Sequence, residues 1–171
     1  MIHVSEFLSY DALRRCVKEG LVSARTDETG EVWIYNYTPW AQARRVWTPE
    51  TMAARGLILD SDGYVIARPF PKFFNLNEPD APALPDRPFT VAEKADGSLG
   101  IVYRHPVTGE VRVATRGSLG SDQARWATAF WQRRYADIEV PEGLTRWWRS
   151  STRATGSSST TATSPIWCCW R

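Results

Sequence analysis

The chain has 171 residues, 43% of them hydrophobic, which is enough for one domain with a packed core. Its 21 basic and 19 acidic residues leave a net charge of +2, so bulk charge alone makes no case for a nucleic-acid partner, although a local basic cleft remains compatible with it. The three cysteines (Cys16, Cys168 and Cys169) lack the number and spacing of a disulfide framework or metal site, and no basic segment followed by a long apolar run opens the chain, so a cytoplasmic protein without signal peptide or membrane span is expected.

In chain order, Ser5 is placed to cap a first helix, with Phe7, Leu8, Leu13 and Val17 as its apolar stripe and Gly20 as its stop. Residues 32–37 are aromatic and branched, as strands are. Residues 54–59 and 64–67 flank Asp62-Gly63 and predict a hairpin. The proline- and acid-rich stretch 77–88 predicts a surface connection, and a further strand is expected over 89–92. A second hairpin is predicted from 99–104 and 111–115 around Thr108-Gly109, followed by a helix over 123–135 with Trp126, Phe130 and Trp131 near one face. The fold class is therefore α+β: antiparallel strands with a few helices, and no repeating strand-helix wind. The nine tryptophans are expected in the core or on contact surfaces rather than as base-stacking residues. His3 and His105 are too isolated to serve as a base or a metal ligand.

The stretch Glu93-Lys94-Ala95-Asp96-Gly97-Ser98-Leu99-Gly100 is the strongest chemical signal. A lysine leaves a strand and enters a turn with two glycines, where backbone amides can approach a phosphate. To attack phosphorus its amine must be neutral, a form favoured by nearby cations, a metal ion and partial desolvation. Taken alone, the octapeptide also fits an ordinary surface Asp-Gly turn. The Walker and G-x-G-x-x-G patterns are absent, so a P-loop ATPase or a dinucleotide fold is not supported.

Four further blocks give the turn a context: Tyr35-Asn36-Tyr37-Thr38, Ala54-Arg55-Gly56-Leu57-Ile58-Leu59, Ala67-Arg68-Pro69-Phe70-Pro71-Lys72-Phe73-Phe74-Asn75-Leu76-Asn77-Glu78, and Thr115-Arg116-Gly117-Ser118. In order and spacing, over roughly residues 35–126, they closely resemble the N-terminal nucleotidyltransferase domain of the phage-type RNA ligases that repair cleaved tRNA. DNA ligases and capping enzymes share the Lys-x-Asp-Gly core. The Lys-Phe-Phe-Asn-Leu-Asn-Glu block points to the RNA ligase branch.

The resemblance implies part of a nucleotidyltransferase domain, related to the ATP-grasp-like ligases and capping enzymes, covering residues 1–143. It implies Lys94 as the nucleophile on ATP, with Mg2+, and an RNA substrate carrying 5'-phosphate and 3'-hydroxyl ends, such as cleaved tRNA. A separate end-healing kinase/phosphatase is an implied partner, and a bacterial or phage-infected cell the implied setting. Arg55 and Lys72 match positions that contact ATP phosphates, against the alternative of two solvated cations. Phe74 matches an aromatic near the nucleotide, against core packing. By the same resemblance Gly97 allows close approach, Asp96 orders the turn or the lysine, and Glu93 helps to recognise adenine. Arg116 stands where relatives often have lysine, and Tyr37 has a phosphate or substrate role. Competing readings are an ATP- or RNA-end-binding module that does not ligate, and a DNA ligase or capping-type transferase.

The later family blocks are missing: a glutamate near the ribose, a second glutamate for metal chemistry and a Lys-x-Lys strand. Residues 144–171 instead form an aberrant tail, serine- and threonine-rich over 150–164 and closing on Ile-Trp-Cys-Cys-Trp-Arg. Its residues largely fix two bases of each codon. With GC-biased third bases, the frame starting at each third base over residues 148–170 reads Glu-Val-Ile-Tyr-Pro-Gly-Asn-Arg-Ile-Val-Val-Asp-Tyr-Gly-Asp-Leu-Ala-Asp-Leu-Val-Leu-Leu. That string resembles the next family block, so a frameshift near residues 141–147 is expected, with a disordered or wrongly packed tail.

Overall fold

The computed structural model describes residues 1–84, 86, 88, 97–139, 145–150 and 168–170. Two four-stranded antiparallel sheets lie face to face with a helix outside each. Sheet one has the order β1-β2-β3-β4, from Val22–Thr26, Val32–Tyr37, Arg55–Asp60 and Val65–Ala67. Sheet two has the order β6-β5-β7-β8, from Val111–Thr115, Ser98–Arg104, Thr145–Ser150 and Cys168–Trp170. The α+β class expected from the sequence is what forms, and no helix among the described residues is long and apolar enough to cross a membrane.

Alternation along the strands builds the layers. Val32, Ile34 and Ile58 of sheet one meet Ile101, Tyr103 and Ala114 of sheet two in a central core. The opposite side of sheet one, through Tyr35, Leu57 and Leu59, packs on Val4, Leu8, Leu13 and Cys16. The opposite side of sheet two, through Val102 and Val113, packs on Ala127 and Trp131 of helix α4, Asp122–Arg134. A one-residue register slip in any of these strands would swap its core face for its outer face.

Both predicted hairpins are present, with Gly63 and Gly109 at positive φ in their turns. The first helix begins later than predicted. Val4–Glu6 is a 3-10 turn capped by His3, and α1 spans Tyr10–Lys18 with Ser9 as its cap, so Ser5 caps nothing. Ser9 wins because its hydroxyl accepts from Ala12 N at 3.2 Å, while Ser5 is bound up in the His3 turn. Gly20, at φ +72°, ends the helix as expected. Two short helices were not predicted: α2, Pro39–Ala43, and α3, Pro49–Ala53, each opened by a Thr cap and a Pro. The strand expected over 89–92 lies outside the described residues, as does most of the tail. Within that tail, β7 pairs with β5, and Thr145 is buried with its hydroxyl accepting from Arg68 N at 2.6 Å.

Candidate nucleotide site

Antiparallel pairing decides which residues share an end of the molecule. Strand β2 finishes at Tyr37, β3 starts at Arg55, β4 finishes at Ala67, β5 starts just after Gly97, and β6 finishes just before Arg116. All these termini lie at one end of the two sheets. The chain leaving β4 carries Lys72 and Phe74 across this end, and Lys72 N is tied to Met52 O of α3 at 2.8 Å.

Gly56 brings the two sheets close here. It sits at φ +88°, and a Cβ on it would lie 2.5 Å from Ile101 Cδ1 and 3.3 Å from Arg116 O. Only a residue without a side chain lets β3 meet the Arg116 turn so closely. On β2, a register irregularity between Tyr35 and Asn36 shifts the pairing at the point where Asn36 meets Arg55.

The side chains then form a connected cluster. Arg116 Nη1 donates to the Tyr37 hydroxyl at 3.1 Å, and its guanidinium carbon lies 5.2 Å from the centre of that ring. Tyr37 meets Trp47 edge-on at 5.3 Å, and Trp47 meets Phe74 edge-on at 5.7 Å. Lys72 Nζ is 4.0 Å from the Phe74 centroid and 5.4 Å from that of Trp47. Beside this chain of contacts, Arg55 lies over Phe73 at 4.7 Å and donates to Phe70 O at 3.2 Å. Three cations thus rest on aromatic faces, which attract positive charge without neutralising it. The Lys72 ammonium lies 3.7 Å from the Glu78 carboxylate and donates to Phe73 O at 2.6 Å.

Of the residues marked in the sequence, Tyr37, Lys72, Phe74 and Arg116 are brought together and Arg55 stands beside them. Gly97, at φ +137°, lies at the start of β5 in a conformation that suits glycine. Lys94, Glu93 and Asp96 lie outside the described residues. In the sequence Lys94 precedes Gly97 by three residues.

The family model for RNA ligase matches residues 53–152, more than half of the chain. The chain belongs to the RNA ligase family. It is also 44% identical over 120 residues to RNA ligase 1 of Bacteriophage TS2126. That match covers 64% of this chain and 29% of the phage protein, so the chain spans under a third of the length of that relative. The phage-type resemblance drawn from the four sequence blocks is thereby shown, and the two-sheet α+β fold is consistent with part of a nucleotidyltransferase-like ligase domain.

The sequence missed two residues of the site. Trp47 was grouped with the other tryptophans as core or contact surface; it is partly buried and links Tyr37 to Phe74. Asp80, within the acid-rich connection, accepts the Trp47 indole N–H at 3.2 Å and both Nε and Nη2 of Arg45 at 2.8 Å. Those bonds, first the one from Arg45, hold the Asp80 carboxyl below the usual carboxylate range. The available signal was an acid following Lys-Phe-Phe-Asn-Leu-Asn-Glu by two residues, with an Arg-Val-Trp upstream. Nothing in its spacing marks such a pairing.

Proposed function

We propose that this chain is the nucleotide-accepting part of an ATP-dependent RNA ligase, with Lys94 as the nucleophile. The observation that carries the proposal is the shared end of the two sheets, where Tyr37, Lys72, Phe74 and Arg116 form one cluster and Gly97 begins β5. A cluster of cations on aromatic faces suits a purine ring joined to a polyphosphate.

In the proposed reaction, the neutral Lys94 amine attacks the α-phosphorus of ATP. The N–P bond forms, the bond to the β-phosphate oxygen breaks, pyrophosphate leaves and the amine proton passes to solvent. The product is a lysyl-AMP phosphoramidate. The AMP then moves to an RNA 5'-phosphate, and a 3'-hydroxyl displaces it to join the ends. Arg55, Lys72 and Arg116 are assigned to the phosphates, Phe74 and Tyr37 to the nucleotide and its phosphates. Gly97 is assigned close backbone approach, Glu93 adenine recognition and Asp96 ordering of the turn. Magnesium would neutralise phosphate charge when bound. Among the described residues no group of three or more His, Cys, Asp or Glu side chains forms a metal site, and Glu93 and Asp96 lie outside them. Cleaved tRNA is the proposed substrate, with an end-healing kinase/phosphatase as partner, in the cytoplasm of a bacterial or phage-infected cell.

Incubation with α-labelled ATP and magnesium, then denaturing electrophoresis, tests this. Label should stay on the wild type and be absent from Lys94→Ala. Binding of ATP without any retained label would favour a binding module instead. Joining of nicked DNA, but not of single-stranded RNA ends, would favour the DNA ligase reading.

The tail carries a second proposal. The break in composition after residue 149 supports a change of reading frame near residues 141–147, with residues 1–143 as the authentic part. Resequencing the gene tests it. The alternative frame should continue into ligase sequence, and a stop codon or unrelated sequence there would refute the idea.

A further inference from the structure

Three residues of the proposed nucleotide site, Tyr37, Phe74 and Lys72, converge on Trp47. The orientation of its ring is fixed from behind. Its N–H donates to Asp80 Oδ2 at 3.2 Å, and Asp80 also takes a bidentate pair of bonds from Arg45, both 2.8 Å. Planar fork-on-carboxylate pairing constrains direction as well as distance. Arg45 reaches Asp80 from a left-handed backbone conformation, φ +56°, which a non-glycine residue adopts only when its surroundings hold it there. The clasp joins the connection between α2 and α3 to the segment after β4, 33 and 35 residues apart in the chain.

The residue that gains most is Lys72. A lysine ammonium has three donors on a flexible stem. Among the described residues one hydrogen bond from it is made, to Phe73 O at 2.6 Å, and the Glu78 carboxylate stands beyond hydrogen-bond length at 3.7 Å. The faces of Trp47 and Phe74 limit where the remaining donors can go. A cation confined before its ligand arrives loses less entropy on binding.

We infer that Trp47, clasped by Asp80 and Arg45, is a positioning residue that directs the Lys72 ammonium toward the phosphates of bound ATP. The inference rests on the nucleotide reading of the cluster. It assigns Trp47 and Asp80 no contact with the reacting atoms.

The test is calorimetric titration of the full chain with ATP and magnesium, for Trp47→Phe, Trp47→Ala, Asp80→Asn and Asp80→Ala, each with and without Lys72→Ala. Trp47→Phe keeps a ring and removes the N–H; Asp80→Asn keeps an acceptor for the indole. Thermal melts identify variants that fold. Asp80→Ala and Trp47→Ala should weaken ATP binding roughly 3- to 10-fold, the scale of lost preorganisation at one side chain. Asp80→Asn should recover part of the loss. On a Lys72→Ala background neither alanine variant should weaken binding further. Unchanged affinity in Asp80→Ala and Trp47→Ala, with the wild type binding, would overturn the positioning role and leave the nucleotide site standing. An equal loss with and without Lys72 would show that the clasp acts on the fold, and would also overturn it. A wild-type chain that binds no ATP would overturn the nucleotide reading itself.

Discussion

The two ends of the paired sheets hold charge differently, although the end with the candidate site also carries the Arg45–Asp80 pair and places Glu78 3.7 Å from Lys72. At the end holding the β1–β2 and β5–β6 turns, carboxylates are matched directly by a buried imidazole and an arginine. His105 is fully buried and its Nε2 lies 2.7 Å from Asp27 Oδ2. Its Nδ1 accepts from the backbone N–H of Val107 and of Thr108, so the ring proton is on Nε2 and is donated to Asp27. Beside them Arg112 reaches Glu28 at 2.7 Å and Glu110 at 3.2 Å. At the opposite end, Arg55, Lys72 and Arg116 lie on the faces of Phe73, Phe74 and Tyr37. Carboxylate pairing joins one sheet to the other and leaves little charge for a ligand. Cations on rings keep a field that an incoming phosphate can use. The same residue types therefore serve the fold at one end and, by our proposal, the nucleotide at the other.

Substitutions at the two ends should separate these roles. Asp27→Ala strips the acceptor from a buried imidazole and should cost about 3 kcal/mol in urea unfolding. ATP affinity should persist where the variant remains folded. Burial opposes ionisation of Asp27, but the bonds from His105 and Thr29 outweigh it and hold its carboxyl below the usual range. Its folded pKa is lowered, so its stabilisation is present above the unfolded value, about 4, and is lost as pH falls through the folded value. The gap between wild type and Asp27→Ala should thus close in acid, as unfolding curves across that range would show.

Lys72→Ala should do the reverse. Stability should change little, while the rate of lysyl-AMP formation should fall on the order of 100-fold, as removal of one phosphate-binding cation does. Label incorporation over time measures this. Gly56→Ala falls between the two classes. Its Cβ would meet Ile101 at 2.5 Å in a backbone conformation that alanine resists. A loss of about 2 kcal/mol is expected, together with weaker ATP binding, because the sheets must part at the site.

Much of this was legible in the sequence, for identifiable reasons. Strand β2 follows from its aromatic and branched residues, both hairpins from Asp62-Gly63 and Thr108-Gly109 between apolar runs, and α4 from the placing of Trp126, Phe130 and Trp131 near one face. Strand β1 was not legible, because only Val22 among its five residues is buried and the rest of this edge strand is polar or small. Helices α2 and α3 are too short for a period to show, and only Thr38-Pro39 and Thr48-Pro49 mark them. Motif residues such as Tyr37, Lys72, Phe74 and Arg116 could be picked out because their local blocks are distinctive. Trp47 and Asp80 could not, since their meaning lies in a contact across 33 positions of chain.

The most direct test of the account is to find where AMP attaches. After incubation with ATP and magnesium, the chain would be digested and its peptides examined by mass spectrometry under conditions that preserve a phosphoramidate. The account predicts one adenylylated peptide, with AMP on Lys94. An adduct on Lys72 or another lysine, or no adduct on a chain that binds ATP, would contradict it.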